Sequence, residues 1–114
     1  MKTDIRVPRL PKTIFKMVYT YGAWIVGGAC LEETPKDLDV MVPWSEWHQA
    51  SLLIPEGAKP NIFGGWKWTE DGVSVDCWPD SLDRLATAAP FQAALHPKSG
   101  RMLVPASANV PSKP

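Results

Sequence analysis

This sequence of 114 residues has no net charge, no long apolar run and only two cysteines. Twelve basic and twelve acidic side chains cancel, so no global field attracts the chain to nucleic acid or to an anionic membrane. The longest apolar stretch, residues 23–31, contains two glycines and is far shorter than the roughly 20 residues that span a bilayer. We therefore expect no membrane partner, no DNA partner and no tight binding of transfer RNA.

Cysteine usage and the first residues point to the cytoplasm. Cys30 and Cys77 form no C-x-x-C pair and show no spacing typical of metal ligands. Two scattered cysteines in a chain with a good core are typical of free thiols in a reducing compartment. The first residues also lack the apolar segment of a secretory signal, and we expect a cytoplasmic protein.

The length of the chain predicts one domain, and its many prolines divide that domain into short elements. There is room for a single core, and an apolar share of 45% is ordinary for a globular protein that needs no disulfides. We expect an N-terminal arm over residues 1–9, the domain over residues 10–105 and a flexible tail over residues 106–114. Helices are expected over residues 11–21, closed by Gly22, from Ser45 as N-cap to about residue 53, and over residues 81–88. Strands are expected over residues 23–26 and 37–42. Two hairpins are expected as well: residues 61–69 and 73–78, joined by a turn at residues 70–72, and residues 91–95 and 101–104.

Asp37 and Asp39 form the first candidate site. They lie two residues apart in a predicted strand, so both carboxylates project from one face while Leu38 and Val40 point into a core. Two carboxylates this close repel each other unless a cation lies between them, and Mg2+ prefers oxygen ligands of this kind. A pair of solvated acids on an exposed strand edge is the alternative, and for an isolated D-x-D pattern it is the more frequent one.

A glycine pair and a third acid strengthen the functional interpretation. Gly27 and Gly28 directly follow a predicted buried strand, where backbone N–H groups approach a phosphate without hindrance from side chains; a tight turn is the alternative. Asp76 shares one side of a predicted strand with Ser74 and Trp78. If that strand lies beside the D-x-D strand, Asp76 completes a two-metal site or acts as a base for an attacking hydroxyl. The alternative is an ordinary outward-facing acid.

Two short segments resemble the signature of the DNA polymerase β-like nucleotidyltransferase superfamily. Residues 25–29 read IVGGA and residues 35–40 read PKDLDV. They are similar to the V-G-G-x-V-R-D and P-K-D-x-D segments in the head domain of CCA-adding enzymes and bacterial poly(A) polymerases. Residues 90–105 are similar to that group's R-R-D-F-T-x-N-A segment and the hairpin after it, and residues 63–65 and 75–79 look like strands of small stand-alone members. The resemblance extends over residues 23–105.

The resemblance implies an α/β fold with a mixed sheet and a transferase activity. A nucleoside monophosphate would pass from a nucleoside triphosphate to an acceptor hydroxyl, with release of pyrophosphate. Asp37, Asp39 and Asp76 would bind Mg2+, or Mn2+ in its place, and take part in catalysis. The glycine pair and Lys36 would contact the nucleotide. The acceptor would be an RNA end, a protein side chain or a small molecule.

The chain also departs from that group. Residues 30–32, Cys-Leu-Glu, replace the Arg-Asp pair after the glycines, and residues 88–90, Ala-Ala-Pro, replace the R-R-D cluster. These departures favour a rival interpretation, in which a nucleotidyltransferase fold binds a nucleotide or a protein partner with little or no catalysis. The retention of all three aspartates favours the enzyme, because a chain that had lost catalysis would not need to keep them.

Five further residues are weaker candidates. Lys36, beside the first aspartate, either touches a phosphate or is a solvated lysine at a strand edge. Trp44 and Trp66 are the tryptophans that we would test for stacking on a base. His96 and Arg101 flank the last predicted turn, where they either contact an anionic substrate or serve the turn itself.

Overall fold

Seven strands in one mixed sheet and two helices make up the described part of the chain, which comprises residues 9–27, 34–81 and 93–103 of a computed structural model. In chain order the elements are α1 (Lys12–Tyr21), β1 (Trp24–Val26), β2 (Asp37–Pro43), α2 (Trp44–Ser51), β3 (Lys59–Pro60), β4 (Trp66–Glu70), β5 (Val73–Asp80), β6 (Ala94–His96) and β7 (Arg101–Leu103). The mixed α/β (α+β) class expected from the sequence is confirmed. Apart from Arg9 and Ser81, the predicted arm, the helix predicted over residues 81–88 and the tail lie outside the described residues.

The sheet has the strand order β3-β4-β5-β2-β1-β6-β7. At its centre β2 and β5 run parallel, and the other five neighbouring pairs are antiparallel. Side chains alternate between two faces along each strand, and the core residues of both helices pack on the same face. The opposite face carries Asp37, Asp39 and Asp76, and we call it the aspartate face.

The main core lies between the two helices and the sheet. On α1, Ile14, Met17 and Val18 are fully buried at the i, i+3, i+4 spacing of an amphipathic helix. The strands contribute the alternate residues that face the helices, which include Ile25, Leu38, Val40, Val42, Val75, Cys77 and Leu95. Cys77 is a free thiol, as expected, and burial raises its pKa to about 12, so it stays protonated and serves as a core residue; Cys30 lies outside the described residues.

Glu70 fastens the N-terminal end of α1 to the sheet. Its carboxylate accepts hydrogen bonds from the backbone N–H of Thr13 at 3.1 Å and from the indole N–H of Trp68 at 3.0 Å. The bond from Thr13 satisfies a backbone donor of the first helical turn, where the helix dipole also favours a negative charge. At the other end Gly22, with φ of 69°, closes the helix in the left-handed conformation, as predicted.

The prediction of Ser45 as the N-cap of α2 is wrong. The helix begins two residues earlier than that cap implies, at Trp44, with Pro43 in the N-cap position and no side-chain hydrogen bond to the first turn. Because β2 extends to Pro43 and α2 begins at the next residue, Ser45 already lies within the first turn of the helix and cannot be its N-cap. Neither this helix of eight residues nor α1 is long and apolar enough to cross a membrane.

The strand predicted over residues 61–69 is shorter than expected. Strand β4 begins only at Trp66, and residues 61–65 form a loop that joins it to β3, which we call the 61–65 loop. The side-chain oxygen of Asn61 accepts hydrogen bonds from the backbone N–H groups of Phe63 and Gly65, at 3.0 and 2.8 Å. These bonds turn the chain where the apolar residues of the loop otherwise suggest a strand.

Two predicted hairpins are confirmed. Strands β4 and β5 are joined by a two-residue turn, in which Asp71 and Gly72 have φ of 53° and 77°. Positive φ at both positions is what a type I′ turn requires, and Asp-Gly is a preferred sequence for it. Strands β6 and β7 form the second hairpin, with His96 opposite Arg101.

Candidate functional site

The three aspartates lie on neighbouring strands of the aspartate face. Asp37 and Asp39 belong to β2, and Asp76 belongs to β5, the parallel neighbour of β2. In the register of this pair Asp39 lies directly opposite Asp76, and Asp37 lies opposite Ser74. Residues in register share a face, whereas Leu38, between the two aspartates of β2, is fully buried under the helices. The prediction that Asp76 lies on a strand beside the D-x-D strand is confirmed.

The electrostatics of Asp39 reflect this crowding. Its side chain is half-buried, and burial raises its pKa above the ordinary value of 3.8. The charges of Asp76 and then Asp37 raise the pKa further, and only Lys67 opposes them. The folded protein therefore disfavours the ionised form of this carboxyl. A divalent cation bound between the carboxylates would offset their repulsion, because its positive charge favours the ionised forms.

The aspartates fit a magnesium ion by their chemistry, although the three do not converge on one point. Among the described residues, no three His, Cys, Asp or Glu side chains are grouped closely enough to hold an ion between them. Magnesium commonly takes only one or two carboxylates and completes its octahedron with water and substrate phosphates. The opposed pair Asp39 and Asp76 supplies that number of hard oxygen donors, and Asp37 lies on the same face.

The first predicted phosphate contact, Gly27, already has a hydrogen-bond partner. Its backbone N–H donates to the carbonyl of Ala93 at 2.7 Å, and its φ of 85° is a conformation that favours glycine. This amide continues the pairing of β1 with the segment before β6. A phosphate held by backbone amides here would therefore depend on Gly28, which lies outside the described residues.

Lys36, the other predicted nucleotide contact, is exposed immediately before β2. Its backbone carbonyl accepts a hydrogen bond from the N–H of Ser74 at 2.9 Å. This bond extends the parallel pairing of β2 and β5 by one residue beyond Asp37. Lys36 thus contributes its backbone carbonyl to the sheet. Its side chain remains a candidate for contact with a phosphate, because Lys36 is next to Asp37 in the sequence.

Asn61 is a site residue that the sequence analysis missed. Its side-chain N–H groups donate to the carbonyl of Trp66 at 2.9 Å and to the Oδ1 of Asp76 at 3.1 Å. Its side-chain oxygen accepts the two bonds from Phe63 and Gly65 that shape the 61–65 loop. Both donors and both lone pairs of the amide are thus used, and one of the four bonds holds a candidate metal ligand. An asparagine shortly before a glycine pair is the signal that indicates such a turn.

Asn61→Ala is expected to lower the free energy of unfolding by about 2 kcal/mol. Four hydrogen bonds are lost, each worth roughly 0.5–1.5 kcal/mol, and the exposure of the loop places the total near the lower end. Urea unfolding of the two proteins measures the loss. The control is Ile62→Ala in the same loop, where the side chain is 91% exposed and truncation should change stability little. Equal stability of the two variants would show that the Asn61 side chain does not hold the loop.

The aromatic side chains are arranged differently from the prediction. Trp66 pairs in register with the buried Cys77 and therefore lies on the helix side of the sheet, so it does not face the aspartates. Trp44 is 62% exposed at the first residue of α2. Trp78, two residues after Asp76, lies on the aspartate face, and its ring packs against that of Phe63 with centroids 4.8 Å apart. Of the aromatic residues, this pair is better placed than Trp44 or Trp66 to stack on a ligand bound at the aspartates.

His96 and Arg101 have a structural explanation. They are opposite each other in the last hairpin, and the His96 ring packs against Trp24 with centroids 4.8 Å apart. The guanidinium of Arg101 lies 5.9 Å from the centroid of the same tryptophan, within the range of a cation–π contact. His96 also bonds Ser99 across the turn at 2.7 Å, and burial lowers its pKa. Both residues therefore serve this hairpin.

Comparison with known proteins identifies no relative of the chain. No protein-family model matches it, and neither does any curated protein or any solved structure. The functional assignment therefore depends on the chemistry and placement of the residues on the aspartate face.

Proposed function

We propose that the protein is a magnesium-dependent nucleotidyltransferase, which moves a nucleoside monophosphate from a nucleoside triphosphate to an acceptor hydroxyl and releases pyrophosphate. The observation that carries this proposal is the register of β2 and β5, which sets Asp39 opposite Asp76 with Asp37 on the same face. Helices on one face of the sheet and acids on the other also agree with the nucleotidyltransferase fold that residues 25–29 and 35–40 resemble.

In the proposed site, Asp39 and Asp76 would hold Mg2+, with Mn2+ as an alternative, and Asp37 lies on the same face. The ion would supply neutralisation of phosphate charge and alignment of the triphosphate. Gly28 and Lys36 remain the candidates for direct contact with the phosphates. Positioning and charge neutralisation are the main demands of this chemistry, and a small domain can meet them.

The proton of the acceptor hydroxyl needs a base, and Asp76 is the candidate. Its Oδ1 accepts the hydrogen bond from Asn61, which orients the carboxylate while leaving its second oxygen out of that bond. The acceptor oxygen would form a bond to the α-phosphorus as the bond from that phosphorus to the bridging oxygen breaks. The proton would pass to Asp76, and pyrophosphate would leave with the electron pair of the broken bond.

A second candidate function is a binding module on the same fold, for a nucleotide or a protein partner, with little or no catalysis. The engagement of the Gly27 amide by Ala93 favours it, because one of the two predicted phosphate donors is already paired. The substitution of residues 30–32 for the family's Arg-Asp pair favours it as well. A module that binds a nucleotide shares that binding with the enzyme and differs from it in turnover, whereas a module for a protein partner differs in both.

Incubation with each labelled nucleoside triphosphate, Mg2+ and a cell extract tests the proposal. The enzyme should transfer label to an acceptor, whether an RNA end, a protein or a small molecule, and should release labelled pyrophosphate from a γ-labelled substrate. A thermal melt with Mg2+ and each triphosphate, well above millimolar concentration, should show stabilisation by mass action. Stabilisation without transfer would support the binding module, and the absence of both would contradict a nucleotide site.

A further inference from the structure

Four charged residues form one row across four strands of the aspartate face. Lys59 of β3 is opposite Lys67 of β4, Lys67 is opposite Asp76 of β5, and Asp76 is opposite Asp39 of β2. Neighbouring strands lie about 4.8 Å apart, so the row extends over about 14 Å between its first and last α-carbons. The charges along it run positive, positive, negative and negative.

Each half of this row is unfavourable by itself. Like charges directly opposite each other on neighbouring strands destabilise a sheet. The two lysines are opposite each other in the antiparallel pair of β3 and β4, and the two aspartates are opposite each other in the parallel pair of β2 and β5. Within the row only Lys67 and Asp76 place opposite charges in register, so each end of the row keeps a pair of like charges. The lysine half calls for an anion and the aspartate half for a cation.

A groove adjoins the lysine end of the row. It has a volume of about 410 Å³, and Lys59, Lys67 and Thr69 are among the residues that line it. One acid, Glu56, lines it too, so the two lysines leave a net positive charge. The groove is therefore an open, cationic and hydroxyl-bearing space, and one of its lysines, Lys67, lies opposite Asp76 in the sheet.

We infer that Lys59 and Lys67 form a binding subsite for the polyphosphate chain of a nucleoside triphosphate, adjacent to the aspartates that would hold its divalent cation. The inference rests on the proposed function and adds two lysines to Gly28 and Lys36, the phosphate contacts already proposed. A metal-bound polyphosphate carries both kinds of charge in adjacent positions, as the row does. Ammonium groups are compact point charges that bind phosphate oxygens well, and lysine side chains on adjacent strands can reach the same anion.

The test compares the wild type with the double variant Lys59→Gln/Lys67→Gln. The probes are ATP and inorganic tripolyphosphate, each with Mg2+, and the readout is affinity from calorimetry or thermal shift. We expect the double variant to lose about tenfold or more in affinity for both probes, because each charged hydrogen bond to phosphate is worth at least that factor. The loss should be similar for the two probes, since the subsite recognises phosphate and not the base. The melting temperature without ligand should change little, because the change relieves the repulsion between the two lysines but also removes the attraction between Lys67 and Asp76, which lie opposite each other.

Lys16→Gln is the matched control, since Lys16 is exposed on α1, which packs on the other face of the sheet. It should bind both probes as the wild type does. A double variant that binds ATP and tripolyphosphate as tightly as this control would overturn the lysine subsite while leaving the proposed function intact. A wild type that binds neither probe with Mg2+ would overturn the proposed function itself, and the subsite with it.

Discussion

Asp39→Asn is expected to abolish the magnesium-dependent binding of a nucleoside triphosphate while leaving the metal-free fold as stable as the wild type or more stable. The change removes one charge of the opposed pair formed with Asp76. Like charges in that position cost up to about 1 kcal/mol, so neutralising one relieves the metal-free protein. The same change deletes a ligand that a divalent cation needs. A pair of acids retained for hydrogen bonds or salt bridges would behave in the opposite way and lose stability.

Thermal melts of the wild type and the variant, with and without Mg2+ and ATP, measure both effects. At a ligand concentration a hundred times the dissociation constant, the wild type should gain about 2.7 kcal/mol, and the variant should gain nothing. Asp37→Asn should act in the same direction. The control is Asp71→Asn, the same change in the exposed turn between β4 and β5, where asparagine also tolerates the observed φ of 53°. A variant that keeps the full shift with ATP would remove Asp39 from the site.

The pH dependence of unfolding tests whether charge repulsion causes the difference in stability between the wild type and Asp39→Asn. Since the pKa of Asp39 in the folded protein lies above its ordinary value of 3.8, the folded state binds this proton more tightly than the unfolded state. Below the ordinary value both states are protonated and the carboxyl carries no penalty. As the pH rises from about 4 through the raised pKa, the metal-free wild type should lose the stability that this proton provided. The advantage of Asp39→Asn over the wild type should therefore be larger at pH 7 than at pH 4.

Local patterns predicted much of this molecule. The apolar spacing of residues 11–21 and the glycine after it indicate α1 and its end, and the Asp71-Gly72 turn indicates the hairpin of β4 and β5. The two-residue spacing of Asp37 and Asp39 is sufficient to place both on one face. Each of these features is determined by residues within a few positions of one another, where the periods of helix and strand apply directly.

The remaining features depend on pairing between distant segments. The opposition of Asp39 and Asp76 requires β5 to lie parallel to β2, and no local pattern specifies that neighbour or its register. The face of Trp66 follows from the same register, because its position opposite the buried Cys77 directs it to the helices. The row that joins the lysines to the aspartates combines three separate pairings. Asn61 was missed because the apolar residues after it mimic a strand, while its side chain turns the chain.

Gly65→Ala is expected to cause a larger loss of stability than the other substitutions proposed, roughly 3 kcal/mol or more. Gly65 is buried where the 61–65 loop meets β5. A Cβ atom there would overlap the backbone carbonyl of Cys77 and lie 2.7 Å from the Cα of Trp78. Both are backbone atoms of a strand that is paired on its two sides, with β4 and with β2. They therefore cannot shift without breaking hydrogen bonds of the sheet, and the loop would have to move instead.

Gly64→Ala is the matched control, because it makes the same chemical change one residue earlier. Gly64 has φ of 87°, and a Cβ atom at this position would meet nothing within 4 Å. Its cost should be that of the left-handed conformation alone, about 1–2 kcal/mol. Both variants restrict the unfolded chain equally. The difference between their free energies of unfolding in urea therefore measures the cost of placing a Cβ atom where the loop approaches β5. Equal losses would contradict that approach, and with it the 3.1 Å hydrogen bond through which Asn61 orients Asp76.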